Sequence, residues 1–221
     1  MEIEIWSDIA CPWCYVGKRR LADALEQFEH AEQTTVTWRS FELDPEAPLE
    51  RPGEGAAHLA EKYGMSVEQA RSSQAGLAAT AAGEGIEMRF DIQRMGRTFD
   101  AHRLVHLAAE RGIQDAVKER LMHAYFTEGA LMSDHATLVA LAAEAGLDRE
   151  EAGEVLASDR YAAAVRADER DAQRLGISAV PTFVADRALG VSGAQPAEQL
   201  LAFLREGWER REAAASLQSA G

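Results

Sequence analysis

The residues best equipped for chemistry in this 221-residue chain are its two cysteines, which stand together as Cys11-Pro12-Trp13-Cys14 near the N-terminus. Ahead of them, Glu2 to Asp8 alternates Ile3 and Ile5 with Glu2, Glu4 and Trp6, the period of two of a short strand whose charged members should face solvent or lie at its end. Beyond them, Val16, Leu21, Ala24, Leu25 and Phe28 recur near helical spacing, and Pro12 suits a first helical turn, where its missing amide hydrogen has no partner to lose. The cysteines therefore sit at a strand-to-helix junction. Unpaired N–H groups and the helix dipole place partial positive charge beside Cys11, which favours a thiolate and predicts a lowered pKa, with Lys18 or Arg19 adding to it. Cys11 becomes the nucleophile, and Cys14, one turn further in and more shielded, resolves a mixed disulfide.

Two other readings of the pair are weaker. A zinc half-site needs two further ligands, and there is no second cysteine pair; the histidines at 30, 58, 102, 106, 123 and 135 have no cysteine-rich partner segment. A zinc-bridged interaction module would have to complete its site across a homodimer. Inert buried thiols fit poorly with the intervening proline and the junction. His102 and His106 fall four apart on one helix face without a third ligand, so His102 reads as a groove or interhelical hydrogen-bonding residue, and no metal site is expected.

Composition narrows the class. Thirty-seven acidic against 23 basic side chains, a net charge of −14, argues against general affinity for nucleic acid or anionic membrane. A 47% hydrophobic share is that of a globular chain with a real core, and no run approaches the roughly 18 apolar residues of a membrane helix. Met1-Glu2-Ile3-Glu4-Ile5 lacks the basic start and long apolar segment of a secretory signal, so a cytoplasmic setting is expected. In a reducing compartment, a lone cysteine pair is redox-active more readily than structural.

The elements that must position these residues follow from pattern. Thr34 to Leu43 reads as a second strand, making a parallel βαβ unit with the cysteines at the carboxyl end of its first strand. Asp44-Pro45-Glu46-Ala47-Pro48 and Arg51-Pro52-Gly53 break regular structure. Helices are predicted over 56–63, 67–82, 99–111, 114–127, 135–145, 149–156 and 160–175, with Ser66 and Ser133-Asp134 as starts and Gly112 and Gly146 as stops. Strand character returns over 179–185 and 189–191, before a last helix over about 196–211 and a tail, 213–221, expected to fray. Pro181 inside the strand-like run marks an edge. A cis Val180–Pro181 bond would turn the Val180 backbone toward an extended substrate, whereas a trans proline at a strand start would not.

Taken together, Ser7-Asp8, Cys11-Pro12-Trp13-Cys14-Tyr15 with Gly17-Lys18-Arg19-Arg20, Phe41-Glu42-Leu43 with Pro45, Asp100-Ala101-His102-Arg103-Leu104, Ala124-Tyr125-Phe126 with Glu128-Gly129, Val180-Pro181 and Gly193-Ala194-Gln195-Pro196 resemble the thioredoxin-fold DsbA family, in particular its FrnE-like branch. The matches run in order over almost the whole chain. The resemblance implies an α/β, thioredoxin-like fold with a large inserted all-helical domain: residues 1–48 and 159–212 as the two thioredoxin-like parts, 49–158 as the insertion and 213–221 as a flexible tail. It implies that Pro181 is a cis-proline facing the cysteines, so that Pro12, Trp13, Val180 and Pro181 border the substrate. Arg97-Thr98 stands where this group usually has Asn-Thr; with Arg97 and His102 in the groove, an anionic ligand would be favoured, in a small positive patch with Lys18 and Arg103.

The activity implied is thiol-disulfide exchange without a bound cofactor, on a disulfide-containing protein or small thiol, with a cellular reductant as partner. Glutathione is an optional co-substrate. The alternative is a glutathione-dependent isomerase or transferase acting on a small aromatic or polyketide-type molecule. Proteins similar to 2-hydroxychromene-2-carboxylate isomerase and kappa-class glutathione transferases work so, but usually carry serine where this chain has Cys11. The DsbA prototype has histidine between its cysteines; with Trp13 here, a strongly oxidising potential does not carry over.

Overall fold

The computed structural model describes residues 1–219, with side chains to Ser216. Strand β1 (Glu2–Ser7) leads into helix α1 (Pro12–Glu26) and the chain returns through β2 (Thr35–Ser40), parallel to β1 with Ile5 opposite Trp38. Far along the chain, β3 (Thr182–Ala185) and β4 (Leu189–Ser192) form a hairpin whose first strand pairs antiparallel with β1, Phe183 opposite Ile5. The described residues thus form a four-stranded sheet in the order β2-β1-β3-β4.

β1 lies inside that sheet: Glu2, at its end, is exposed as expected, but Glu4 does not face water. Ile3 and Ile5 enter the main core, while Trp6 packs on the opposite face with Ala172 and Val184 and donates its indole N–H to the Asp168 carbonyl at 2.9 Å. Glu4 is buried between Arg39 at 2.6 Å and Arg187 at 2.8 Å, as a carboxylate removed from water must be. Alternation separates the two faces of a strand but does not say what covers each.

Between β2 and β3 the chain is helical: α2 (Gly55–Tyr63), α3 (Val67–Gly83), α4 (Phe99–Glu110), α5 (Gln114–His123), α6 (His135–Glu144), α7 (Arg149–Leu156) and α8 (Ala162–Arg174). Their starts use the expected chemistry. Ser66 and Gln69 close a reciprocal capping box, and Asp134 accepts the Thr137 N–H at 2.8 Å. Leu104 and Leu107 of α4 and Val117, Leu121 and Met122 of α5 pack into the same continuous core as Ile3, Ile5 and Phe183. Helices α4 and α5 and the sheet therefore share one hydrophobic core, while α2 and the start of α3 close a small cluster of their own through Ala56, Ala60 and Ala70.

Two helix ends differ from the sequence expectation. The helix predicted over 114–127 is α-helical only to His123 and then widens into a π turn, Ala124–Glu128, in which Ala124, Tyr125 and Phe126 are all buried. Gly129 closes it at φ 70°, where an added Cβ would lie 2.5 Å from the Ile92 carbonyl oxygen. The last helix, α9 (Ala197–Ser219), continues past Arg211 through residues read as a loose tail, because Ala213, Ala214 and Ala215 are strong helix formers. The final two residues of that expected tail lie outside the described residues. Among the described residues no helix is long and apolar enough to cross a membrane.

Candidate active site

β1 ends and α1 begins within a few residues, and the cysteines occupy that junction. Cys11 is the N-cap of α1: its backbone is extended (φ −89°, ψ 111°), its Sγ accepts the Cys14 N–H at 3.3 Å, and Pro12 takes the first helical position. The Val180–Pro181 peptide bond is cis, and the Cys11 thiol points at the Val180 carbonyl oxygen, 3.6 Å away. Helix α1 packs against this turn through Gly17. A Cβ there would meet Pro181 Cγ at 3.0 Å and Phe183 Cζ at 3.3 Å, so a side chain at this position would press on the proline turn.

The structure thus brings Cys11, Pro12, Cys14, Val180 and Pro181 together. Cys14 is fully buried and Cys11 almost so, at 4% exposure, leaving the outer thiol as the one a substrate reaches first. Trp13 is 44% exposed beside them, and Leu43, tethered to Asp8 through its N–H, is 42% exposed. Trp13, between the two cysteines, presents apolar surface at the rim.

Three further residues that were read as cationic or groove-lining do something else. Lys18 is buried against Asp115 at 2.9 Å and Glu119 at 3.0 Å, which together with the Tyr15 hydroxyl on Glu119 at 2.7 Å tie α1 to α5. Arg103 bonds Asp100 at 2.7 Å and the carbonyl oxygens of Val155, Ser158 and Arg160, closing the end of α7. Arg97 directs its Nε to the Ala47 carbonyl at 3.2 Å and its N–H to that of Pro48 at 3.0 Å, fixing the loop that leaves β2. Of the expected positive patch, Lys18 and Arg103 are thus taken up by buried structural pairs, while Arg97 stays half-buried. His102 is fully buried and cannot line an open groove; its Nε2 lies 3.4 Å from Asp8 Oδ1. His106, on the same helix, engages Asp168 and Ser40, each at 3.1 Å. Among the described residues, no three His, Cys, Asp or Glu side chains are placed to hold a metal.

His102 belongs to a buried polar cluster under the cysteines that sequence reasoning did not assemble. Asp8 receives the Leu43 N–H at 2.8 Å and the Ala10 N–H at 3.3 Å, and its own carbonyl takes the Cys11 N–H at 3.3 Å. Lys118, from α5, is wholly buried, donates to the Ser7 carbonyl at 3.1 Å and lies over the Trp38 ring at 5.6 Å. The signal was available: Gln114, Val117, Lys118 and Leu121 share one face of α5, so a lysine stood in the inward stripe.

Burial shapes the ionisation of every member. It pushes the Asp8 carboxyl up, but the hydrogen bonds from His102, Leu43 and Thr98 outweigh it and keep Asp8 below the usual carboxylate range. Burial also holds His102 below the usual imidazole range, against the pull of Asp8. Lys118 is pushed down to about 8 by burial, against the attraction of Cys14, Asp8 and Cys11. At Cys11 the side chain of Cys14, burial and the charges of Cys14 and Asp8 raise the thiol well above its usual value, opposed by the Cys14 N–H. This corrects the expectation of a lowered pKa. The helix terminus is present, but the second thiol and the buried setting outweigh it.

A Cys-x-x-Cys at the start of a helix, opposed by a proline turn on a β2-β1-β3-β4 sheet, defines the thioredoxin class of thiol proteins. More narrowly, the chain belongs to the DSBA-like thioredoxin domain family, whose model matches residues 2–205, and it is an oxidoreductase. A probable DsbA oxidoreductase from Streptomyces coelicolor is 49% identical, with a TM-score of 0.90 over 95% of this chain and 90% of that one. Two more distant structures share the fold. A 2-hydroxychromene-2-carboxylate isomerase is 15% identical, with a TM-score of 0.68 over 98% of this chain and 99% of that one. The cytosolic disulfide reductase DsbM from Pseudomonas aeruginosa with GSH is 19% identical, with a TM-score of 0.66 over 95% of this chain and all of that one.

Proposed function

We propose that this protein reduces, exchanges or isomerises disulfides through Cys11 and Cys14. The observation that carries the reading is the Cys11 thiol, capping α1 and directed at the Val180 carbonyl 3.6 Å away. Cys11, as thiolate, attacks one sulfur of a substrate disulfide; an S–S bond forms to Cys11 and the other substrate sulfur leaves as a thiolate that takes up a proton. Cys14, losing its proton, then attacks Cys11 Sγ, releasing the second substrate thiol and leaving a Cys11–Cys14 disulfide. Each turn transfers two electrons from the cysteine pair to the substrate, and a cellular thiol reductant such as glutathione restores the dithiol. Lys118 and Asp8 lie on the buried side of the pair, where the Lys118 ammonium supports the developing thiolate.

Trp13 at the rim favours an apolar, disulfide-bearing polypeptide, or a small disulfide, as substrate. We place the reaction in the cytoplasm, where reduction or isomerisation is more plausible than net oxidation. The site needs no metal or resident cofactor for these steps. Reduction of insulin or of a small aromatic disulfide tests the reading: wild type turns over and Cys11→Ser does not. A glutathione-dependent isomerase or transferase is the alternative suggested by the fold shared with the chromene-carboxylate isomerase. It requires glutathione-dependent turnover that survives loss of both cysteines.

A further inference from the structure

Beside the thiol junction, at the seam between the end of β2 and α8, one arginine serves one buried and one half-buried acid. Arg166 Nη1 donates to Glu42 Oε2 at 2.6 Å and to Glu169 Oε2 at 2.7 Å, with its guanidinium 4.4 Å over the Phe99 ring. The Glu42 side chain is 1% exposed and that of Glu169 17%. The remaining oxygens, Glu42 Oε1 and Glu169 Oε1, are buried without a hydrogen-bond partner. Two carboxylates on one cation leave an excess negative charge where water is scarce, and two acceptors with nothing to accept. A single proton removes both faults.

We propose that Glu42 and Glu169 share one proton, and that Glu42 is thereby a positioning residue that makes the reactivity of Cys11 depend on that proton. The neighbour of Glu42, Leu43, donates its N–H to Asp8 at 2.8 Å, and the Asp8 carbonyl takes the Cys11 N–H. Loss of the proton sets two carboxylates against each other across the seam and loads the 42–43 backbone that holds Asp8. The charged surroundings allow this. Arg166 and Glu169 face Glu42 from α8; further along the seam Asp168 is engaged by Ser40 N–H at 2.9 Å, Arg39 at 3.3 Å and His106 of α4 at 3.1 Å; Phe99 contributes an apolar face. Burial pushes the Glu42 carboxyl up to about 7, against the pull of Arg166 and with the help of Glu169, which sets the range in which the proton leaves.

The test compares wild type with Glu42→Gln and Glu169→Gln. Infrared difference spectra across neutral pH should show a protonated-carboxyl carbonyl band that titrates in wild type and is lost in Glu42→Gln. Alkylation of Cys11 by iodoacetamide, followed over the same range, should show a step in wild type that both variants lose. An unchanged band in both variants overturns the shared proton, and a lost band with an unchanged alkylation profile overturns the link to Cys11. The link rests on the thiol role proposed above, but neither readout requires disulfide turnover, so a failure of that role shows separately in the insulin assay. Circular dichroism identifies a variant that has lost its fold, and the more exposed Glu169 keeps the test decisive if Glu42→Gln is the one that fails.

Discussion

Cys11 Sγ lies 3.6 Å from the Val180 carbonyl oxygen, although 169 positions separate the two residues. The nucleophile and the backbone that faces it thus come from opposite ends of the chain, and they meet only when β3 pairs with β1. The same relationship makes the thiol chemistry a sensitive reporter of the fold.

Cys11→Ser should abolish disulfide reduction, whereas Cys14→Ser should accumulate a mixed disulfide on Cys11, visible by intact-mass spectrometry. The side chain of Cys14 is the largest influence raising the Cys11 thiol. Cys14→Ala should therefore raise the rate of Cys11 alkylation at neutral pH by ~10-fold, the effect of a tenfold larger thiolate fraction. Slower alkylation in Cys14→Ala than in wild type would contradict the assigned cause.

Lys118→Met separates stability from function. The folded protein releases the Lys118 proton near 8, while the unfolded chain holds it to about 10.5, so the unfolded state binds more protons in that window. The Lys118 contribution to stability accordingly rises with pH between those values and is at its least favourable below them. Replacing the lysine by a shape-similar apolar side chain should leave stability at neutral pH unchanged or increase it by ~1–4 kcal/mol. The rate of disulfide reduction should meanwhile fall about 10-fold, the effect of a tenfold smaller thiolate fraction once the ammonium no longer supports it. Urea unfolding and turnover on one preparation check both; a faster variant would refute the role of Lys118.

Gly17→Ala should cost ~1–3 kcal/mol, because the new methyl group would press on Pro181 Cγ and Phe183 Cζ, and one of the packed partners must give way. A reduced rate of mixed-disulfide formation should accompany it, since α1 carries Cys11. Equal stability and equal rate would mean that the contact is more compliant than its distances indicate.

Arg103→Met tests the reassignment of a residue read as part of a cationic groove. Removing its bonds to Asp100 and to three carbonyl oxygens at the end of α7 should destabilise the protein by ~3–5 kcal/mol. Activity per folded molecule, measured well below the unfolding transition, should stay within about twofold of wild type if Arg103 touches no substrate, since a twofold change is under 1 kcal/mol. A raised KM for anionic disulfides alone would restore the groove.

Much of this was legible in the residues. The strand-to-helix junction and the capped helix starts follow from local chemistry, which acts over a few neighbours and leaves a mark at a fixed spacing; the cis Val180–Pro181 bond beside the cysteines comes from the family resemblance instead. What escaped were properties made by partners distant in the chain. Glu4 reads as solvent-facing until Arg39 and Arg187 are seen to enclose it, and Lys18 reads as a free cation until α5 brings Asp115 and Glu119 against it. Likewise, the helix terminus at Cys11 was visible, but the burial and the second thiol that oppose it depend on packing. Asp8 and Lys118 lie 110 positions apart, and no spacing rule connects them.

The lysine beneath the cysteines arrives on α5, from the helical stretch between β2 and β3, and α4 and α5 share their core with the sheet. A thioredoxin-sized fragment cut from this chain would keep both cysteines and Pro181 yet lose the ammonium group and expose the apolar surface that now packs against α4 and α5. Miniaturising this protein is therefore not a matter of trimming: an engineer would have to supply a substitute cation and a new polar face.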